Sequence, residues 1–136
     1  MRSIRRLLLI GATIASLAMV APIATASDGK AFHLAKVCDE AGCVVTESNY
    51  SRIPAGTTIT YAGSSDDALV ATIHVKHGTA TGVCNLVPVF SGTGDGTCVF
   101  TTGTGRLGSF RADLAVSTVD FTTWYWDGTV TPADHD

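Results

Sequence analysis

The chain has 136 residues, with nine Lys and Arg against twelve Asp and Glu for a formal charge of −3, and 46% of it is hydrophobic. That length fits one domain. The acidic balance argues against nucleic acid or an anionic membrane as a partner, because both are bound through Lys and Arg.

The chain begins like an export signal, with a basic start at Arg2, Arg5 and Arg6, an apolar run from Leu7 to Val20, and the small-residue site Ala24-Thr25-Ala26. Its apolar run falls short of the ~20 residues of a bilayer span, and Pro22 breaks its end. Cleavage after Ala26 is expected, leaving residues 27–136 as a single domain with no membrane attachment. The Arg5-Arg6 pair lacks the rest of the twin-arginine motif, so general secretion is the expected route. Loss of the three leader arginines leaves six basic residues against twelve acidic ones, a formal charge of −6.

Beyond the leader, abundant Thr and Gly and the absence of any 3.6-residue periodicity predict an all-β domain. The predicted strands, in order, are Ala31 to Val37, Val44 to Asn49, Thr57 to Ala62, Leu69 to Lys76, Thr79 to Phe90, Thr97 to Thr102, Phe110 to Ser117 and Thr122 to Thr131. Two of them alternate cleanly. Leu69, Ala71, Ile73 and Val75 share one parity, as do Phe110, Ala112, Leu114 and Val116, so each strand has one buried and one wet face. About eight strands separated by turns such as Asp95-Gly96 and Asp127-Gly128 predict one small antiparallel β-barrel, with a β-sandwich as the alternative. The tail after Pro132 is expected to fray.

Four cysteines follow the leader. Cys84 and Cys98 sit symmetrically about Ser91 in a predicted hairpin and fall within bonding reach, while Cys38 and Cys43 bracket the turn Asp39 to Gly42. Two disulfides are expected. A zinc site is not, since the C-x₂-C spacing is missing and the leader points to an oxidising compartment.

Few residues suggest chemistry. His74 and His77 have opposite parity on a strand and cannot share a metal without a bend. Arg111 and Asp113 read as an exposed ion-pairing surface of little energetic weight. If Val45 faces the core then so does Glu47, and if Ile59 does then Tyr61 follows. An acid and a phenol in an apolar lumen are the candidates for acid–base catalysis. Trp124 and Trp126 share a face of the last strand, flanking Tyr125, and form either barrel core or an apolar platform for a ligand. The run Gly92 to Gly96 has neither the Lys nor the helix of a phosphate loop. No cofactor motif is present, and Asn49-Tyr50-Ser51 is a glycosylation sequon.

The stretch Thr97-Cys-Val-Phe-Thr-Thr-Gly-Thr-Gly-Arg-Leu-Gly-Ser-Phe-Arg-Ala112, with its Gly103-Thr104-Gly105-Arg106 turn, resembles the dirigent and allene oxide cyclase-like barrels of the calycin type. With the terminal strand Phe121 to Thr129, it is closer still to small secreted bacterial proteins of that class that have no assigned activity. The resemblance to the enzymes covers about a dozen residues. It implies an eight-stranded barrel, often oligomeric, and carries over no catalytic residue. The leading expectation is a non-catalytic binding or interaction module for an apolar small molecule, a glycan or an extracellular partner. The alternatives are a cyclase- or dirigent-like enzyme guiding an apolar intermediate in the lumen, and a secreted protein inhibitor.

Overall fold

The structure is a computed structural model and describes residues 29–64 and 68–131. The expected leader and the expected frayed tail lie outside the described residues. The eight strands are β1 (Lys30–Asp39), β2 (Gly42–Ser48), β3 (Thr58–Ala62), β4 (Ala68–Val75), β5 (Gly78–Asn85), β6 (Gly96–Gly105), β7 (Arg111–Thr118) and β8 (Thr123–Thr131). They form one closed antiparallel barrel in chain order, sealed by pairing of β1 with β8 from Lys30↔Val130 to Val37↔Thr123. The barrel, not the sandwich, is the fold.

Alternation builds the lumen as the sequence implies. Leu69, Ala71 and Ile73 on β4 and Ala112, Leu114 and Val116 on β7 point inward, joined by Phe32 and Leu34 on β1 and Trp124, Trp126 and Val130 on β8. The outward positions of β3 to β6 are largely β-branched. Thr60, Thr72, Thr81 and Thr102 stand in one row across four strands, and Val70, Val83 and Val99 in the next. Such cross-strand pairs explain the richness in Thr, because β-branched side chains support a half-buried pleated surface.

Two departures from regular strands matter. The predicted strand from Thr79 to Phe90 ends at Asn85, and a single helical turn, α1 (Val87–Phe90), succeeds it with Pro88 in its first turn. Proline has no amide hydrogen to give a sheet but is tolerated where a helix starts. The second departure is a β-bulge in β2: Val45 pairs with Lys36 and Glu47 with Ala35, so Thr46 is an extra residue. A bulge of one residue reverses the inward–outward phase of the strand beyond it.

The two ends of the barrel differ. At one end the β2–β3 and β6–β7 connections fold inward and bury Tyr50, Ile53, Leu107 and Phe110. Gly103 allows this, since a Cβ there would lie 1.9 Å from the Leu107 carbonyl oxygen. Tyr50 and Phe110 pack with ring centroids 5.6 Å apart, Phe110 meets Phe100 at 5.7 Å, and Phe100 meets Trp126 at 5.4 Å. This aromatic column fills the axis from the closed end to mid-barrel. The opposite end is open.

Both expected disulfides are present, Cys38–Cys43 across β1 and β2 and Cys84–Cys98 across β5 and β6, and no described cysteine is free. The pairs span 5 and 14 residues of chain. The loop-closure relation gives about 2 kcal/mol for the shorter and about 3 kcal/mol for the longer. Replacing Cys84 and Cys98 together with Ala is therefore expected to lower the urea-unfolding free energy more than replacing Cys38 and Cys43. Equal losses, or the reverse order, would show that native packing rather than chain entropy sets the contribution of each bridge.

Candidate functional site

The open end encloses a cavity of about 490 Å³ whose wall is Tyr61, Leu69, Leu86, Phe90, Phe121 and Trp124. The Cys38–Cys43 disulfide forms part of one side, and Asp39 and Glu40 stand on the rim. Each wall residue has a structural reason for its place. Tyr61 follows Ile59 inward at the end of β3, and Leu69 starts the inward row of β4. α1 carries Phe90 over the opening from the β5–β6 connection.

Phe121 reaches the cavity from the β7–β8 turn with φ at +60°, the one positive-φ residue other than glycine among those described. A bulky side chain in the left-handed region is a genuine outlier and costs on the order of 1 kcal/mol or more. The turn compels it. Thr118 Oγ1 accepts from the Phe121 amide at 2.9 Å and donates to the Thr123 carbonyl, while Asp120 accepts from the amides of Thr122 and Thr123. Those bonds, from Thr123 and then Thr122, hold the exposed Asp120 carboxyl below its ordinary pKa. Phe121 stacks on Phe90 at 5.9 Å and meets Trp124 edge-on at 5.8 Å, so three aromatic rings line one side of the mouth.

Beneath this mouth lies the only fully buried charged side chain among the described residues. Lys36 is 1% exposed, on the inward face of β1 between Leu34 and Cys38. Its Nζ lies 4.3 Å from the Trp126 ring centroid and 5.9 Å from that of Trp124. It has no carboxylate partner among the described residues. The other inward-facing titratable side chains among the described residues are the phenols of Tyr61, at the cavity, and Tyr50, at the closed end. Burial alone pushes the Lys36 ammonium down to about 7 and raises the Tyr61 phenol above its ordinary value, so Tyr61 remains a protonated donor.

The predicted site residues separate. Tyr61 points into the lumen, as the parity of Ile59 implied. Glu47 does not: the bulge at Thr46 turns it outward, where its side chain is 70% exposed and 3.9 Å from His33. The expected pairing of an acid and a phenol in one lumen is thereby corrected. Trp124 lines the mouth, Trp126 sits deeper in the core, and Tyr125 lies on the outer face stacked against His33. His74 bonds the Thr60 hydroxyl on the outer surface, and Arg111 donates to the carbonyl of Phe110 rather than pairing with Asp113. No group of His, Cys, Asp or Glu among the described residues is arranged to hold a metal.

Sequence reasoning missed Lys36, Phe90 and Phe121. Lys36 was legible, since it has the parity of Phe32, Leu34 and Cys38 on one strand. Comparison of the chain with protein-family models, curated proteins and solved structures finds no match in any of the three.

Lys36 makes stability depend on pH. Its folded pKa of about 7 lies below the ordinary 10.5. Between those values the unfolded chain binds a proton that the folded one does not, so stability rises with pH across that window, and the full cost is felt below pH 7. Lys36→Met, which keeps the length of the side chain, removes this cost. The variant is expected to exceed the wild type in urea-unfolding free energy at pH 6, by about 5 kcal/mol at most given about 1.4 kcal/mol per pKa unit. The gap should close toward pH 10. A difference that stays constant from pH 6 to 10 would refute the assignment.

Proposed function

We propose that the protein is a secreted, disulfide-stabilised β-barrel that binds an apolar small molecule in its open mouth. The observation that carries this reading is the asymmetry of the ends. One is plugged by its own aromatic side chains, whereas the other leaves a cavity of about 490 Å³ walled by Phe90, Phe121, Trp124 and Tyr61. Phe90 and Phe121 remain 51% and 55% exposed. Exposed aromatic rings around a concave site are the usual composition of a small-molecule pocket. The strain at Phe121 supports the same reading, because backbone strain persists where a side chain must be held in place. Two disulfides suit an oxidising, extracellular setting.

A second reading has one observation in its favour. Tyr61 gives the mouth a half-buried, protonated phenol, and a confined apolar intermediate with one hydrogen-bond donor is enough for cyclase- or dirigent-like guidance of a reaction. Binding is the prior claim, since such catalysis requires it.

Phe121→Gly separates the strain from the contact. Glycine accepts a φ of +60° without penalty, which offsets the lost packing, so stability is expected to change by less than about 1 kcal/mol. Affinity for a neutral apolar probe such as N-phenyl-1-naphthylamine should fall about tenfold, corresponding to the loss of one aromatic contact. The check is fluorescence titration of both proteins, and unchanged affinity would place the binding site elsewhere.

A further inference from the structure

Two hydrogen-bond donors inside the barrel have no acceptor among the described residues. The Trp126 indole N–H is buried without a partner, and the Lys36 ammonium has only the faces of Trp126 and Trp124 beside it. Lys36 lies just below the mouth, for it pairs with Trp124 across β1 and β8, and Cys38, the next inward residue of β1, lines the cavity; Trp126, opposite Leu34, lies one layer deeper. Among the described residues no carboxylate or histidine faces inward, and the other inward titratable groups are the phenols of Tyr61 and, at the closed end, Tyr50. A buried charge without a counter-ion is costly, and natural interiors pair or hydrogen-bond such groups. A partner supplied from outside the barrel would be an acceptor and, for the charged ammonium, an anion.

We propose that Lys36 anchors a single carboxylate, so that the ligand of the mouth is an apolar monocarboxylic acid whose head group descends past Trp124 to Lys36 Nζ. This rests on the mouth-binding reading above and adds the class of ligand. The flexible four-carbon stem of Lys36 can carry its ammonium from the Trp126 face toward the cavity. Its partner there forms a charge-assisted bond in apolar surroundings, where such bonds are strongest. The carboxylate, an acceptor with two oxygens, also suits the unpartnered indole N–H. Asp39 and Glu40 on the rim favour one charge over several: both are exposed and screened by salt, yet their repulsion grows with each charge that passes. The apolar body of the ligand is left among Phe90, Phe121 and Leu69. Binding completes the ion pair by placing a proton from solvent on Nζ whenever the free protein holds the amine uncharged.

The test compares decanoic acid with decanol on the disulfide-intact protein. Its only two tryptophans both lie at the site, so their fluorescence reports binding directly. Decanoate should bind at least about tenfold more tightly than decanol, a difference equal to one modest charge-assisted bond. Lys36→Met should abolish the preference, bringing the two affinities within about threefold of each other. Equal affinities in the wild type, or a preference that survives in Lys36→Met, would each overturn the carboxylate anchor and leave the mouth-binding reading intact. Failure of the wild type to bind either molecule would overturn both. The preference is measured first on the wild type, so the carboxylate anchor is tested however well or badly the variant folds.

Discussion

Closure of the sheet is the constraint on which the other features depend. Pairing β1 with β8 along eight successive partners removes every free strand edge, so the domain has no unpaired ladder to protect. It also creates an interior of fixed width that side chains must fill. Here they do so unevenly. Tyr50, Phe110, Phe100 and Trp126 form a continuous aromatic stack from the closed end inward, and Gly82, which pairs with Phe100, yields the space for its ring: a Cβ there would lie 2.6 Å from that ring. Above Trp126 the stack is interrupted by Lys36, and above Lys36 the interior opens. The cavity is thus a consequence of where the large side chains stop.

Much of this could be read from the chain. All eight strands were predicted in their observed order and, apart from the overrun of the fifth to Phe90, close to their observed limits, because alternation such as Phe110, Ala112, Leu114 and Val116 is a direct image of a two-sided sheet. The cysteine pairs followed from register. Breaks in register stayed hidden. The extra residue Thr46 turns Glu47 away from the lumen, and no composition or spacing marks that bulge, which is chosen by the curvature needed to close the barrel. The positive φ of Phe121 is similarly silent, since it arises from Thr118 and Asp120 fixing their turn together. Pro88 carried the signal for the end of β5, but the predicted strand ran through it to Phe90, and so the helical turn that brings Phe90 over the mouth was missed.

The mouth places its unfavourable features together. A strained backbone at Phe121, a desolvated ammonium at Lys36 and an unpartnered indole N–H at Trp126 all lie within two layers of the same opening. Each costs stability, and among the described residues the closed end has no counterpart. There the chain folds its own loops inward and satisfies its interior with apolar contacts. Two disulfides, both near the open end, offset part of that cost by limiting the unfolded chain. A domain that tolerates destabilising groups at one end only, and braces that end covalently, has the pattern expected where function and stability conflict.

The same residue types elsewhere in the molecule show why location decides which of them carries information. On the outer face His33 sits between Asp127 and Glu47 and stacks on Tyr125, an arrangement richer in titratable groups than the lumen. Yet the side chains of His33, Asp127 and Glu47 are 39%, 54% and 70% exposed. Water and salt reduce an exposed pair to about 1 kcal/mol or less, and such clusters are common on surfaces. Lys36 has fewer partners and far more consequence. Its charge is felt through a medium that cannot reorganise around it, so the amine loses its proton, gains a counter-ion or destabilises the barrel. The mouth above it determines which of these outcomes the protein can exploit, because a charged ligand can enter from solvent only there.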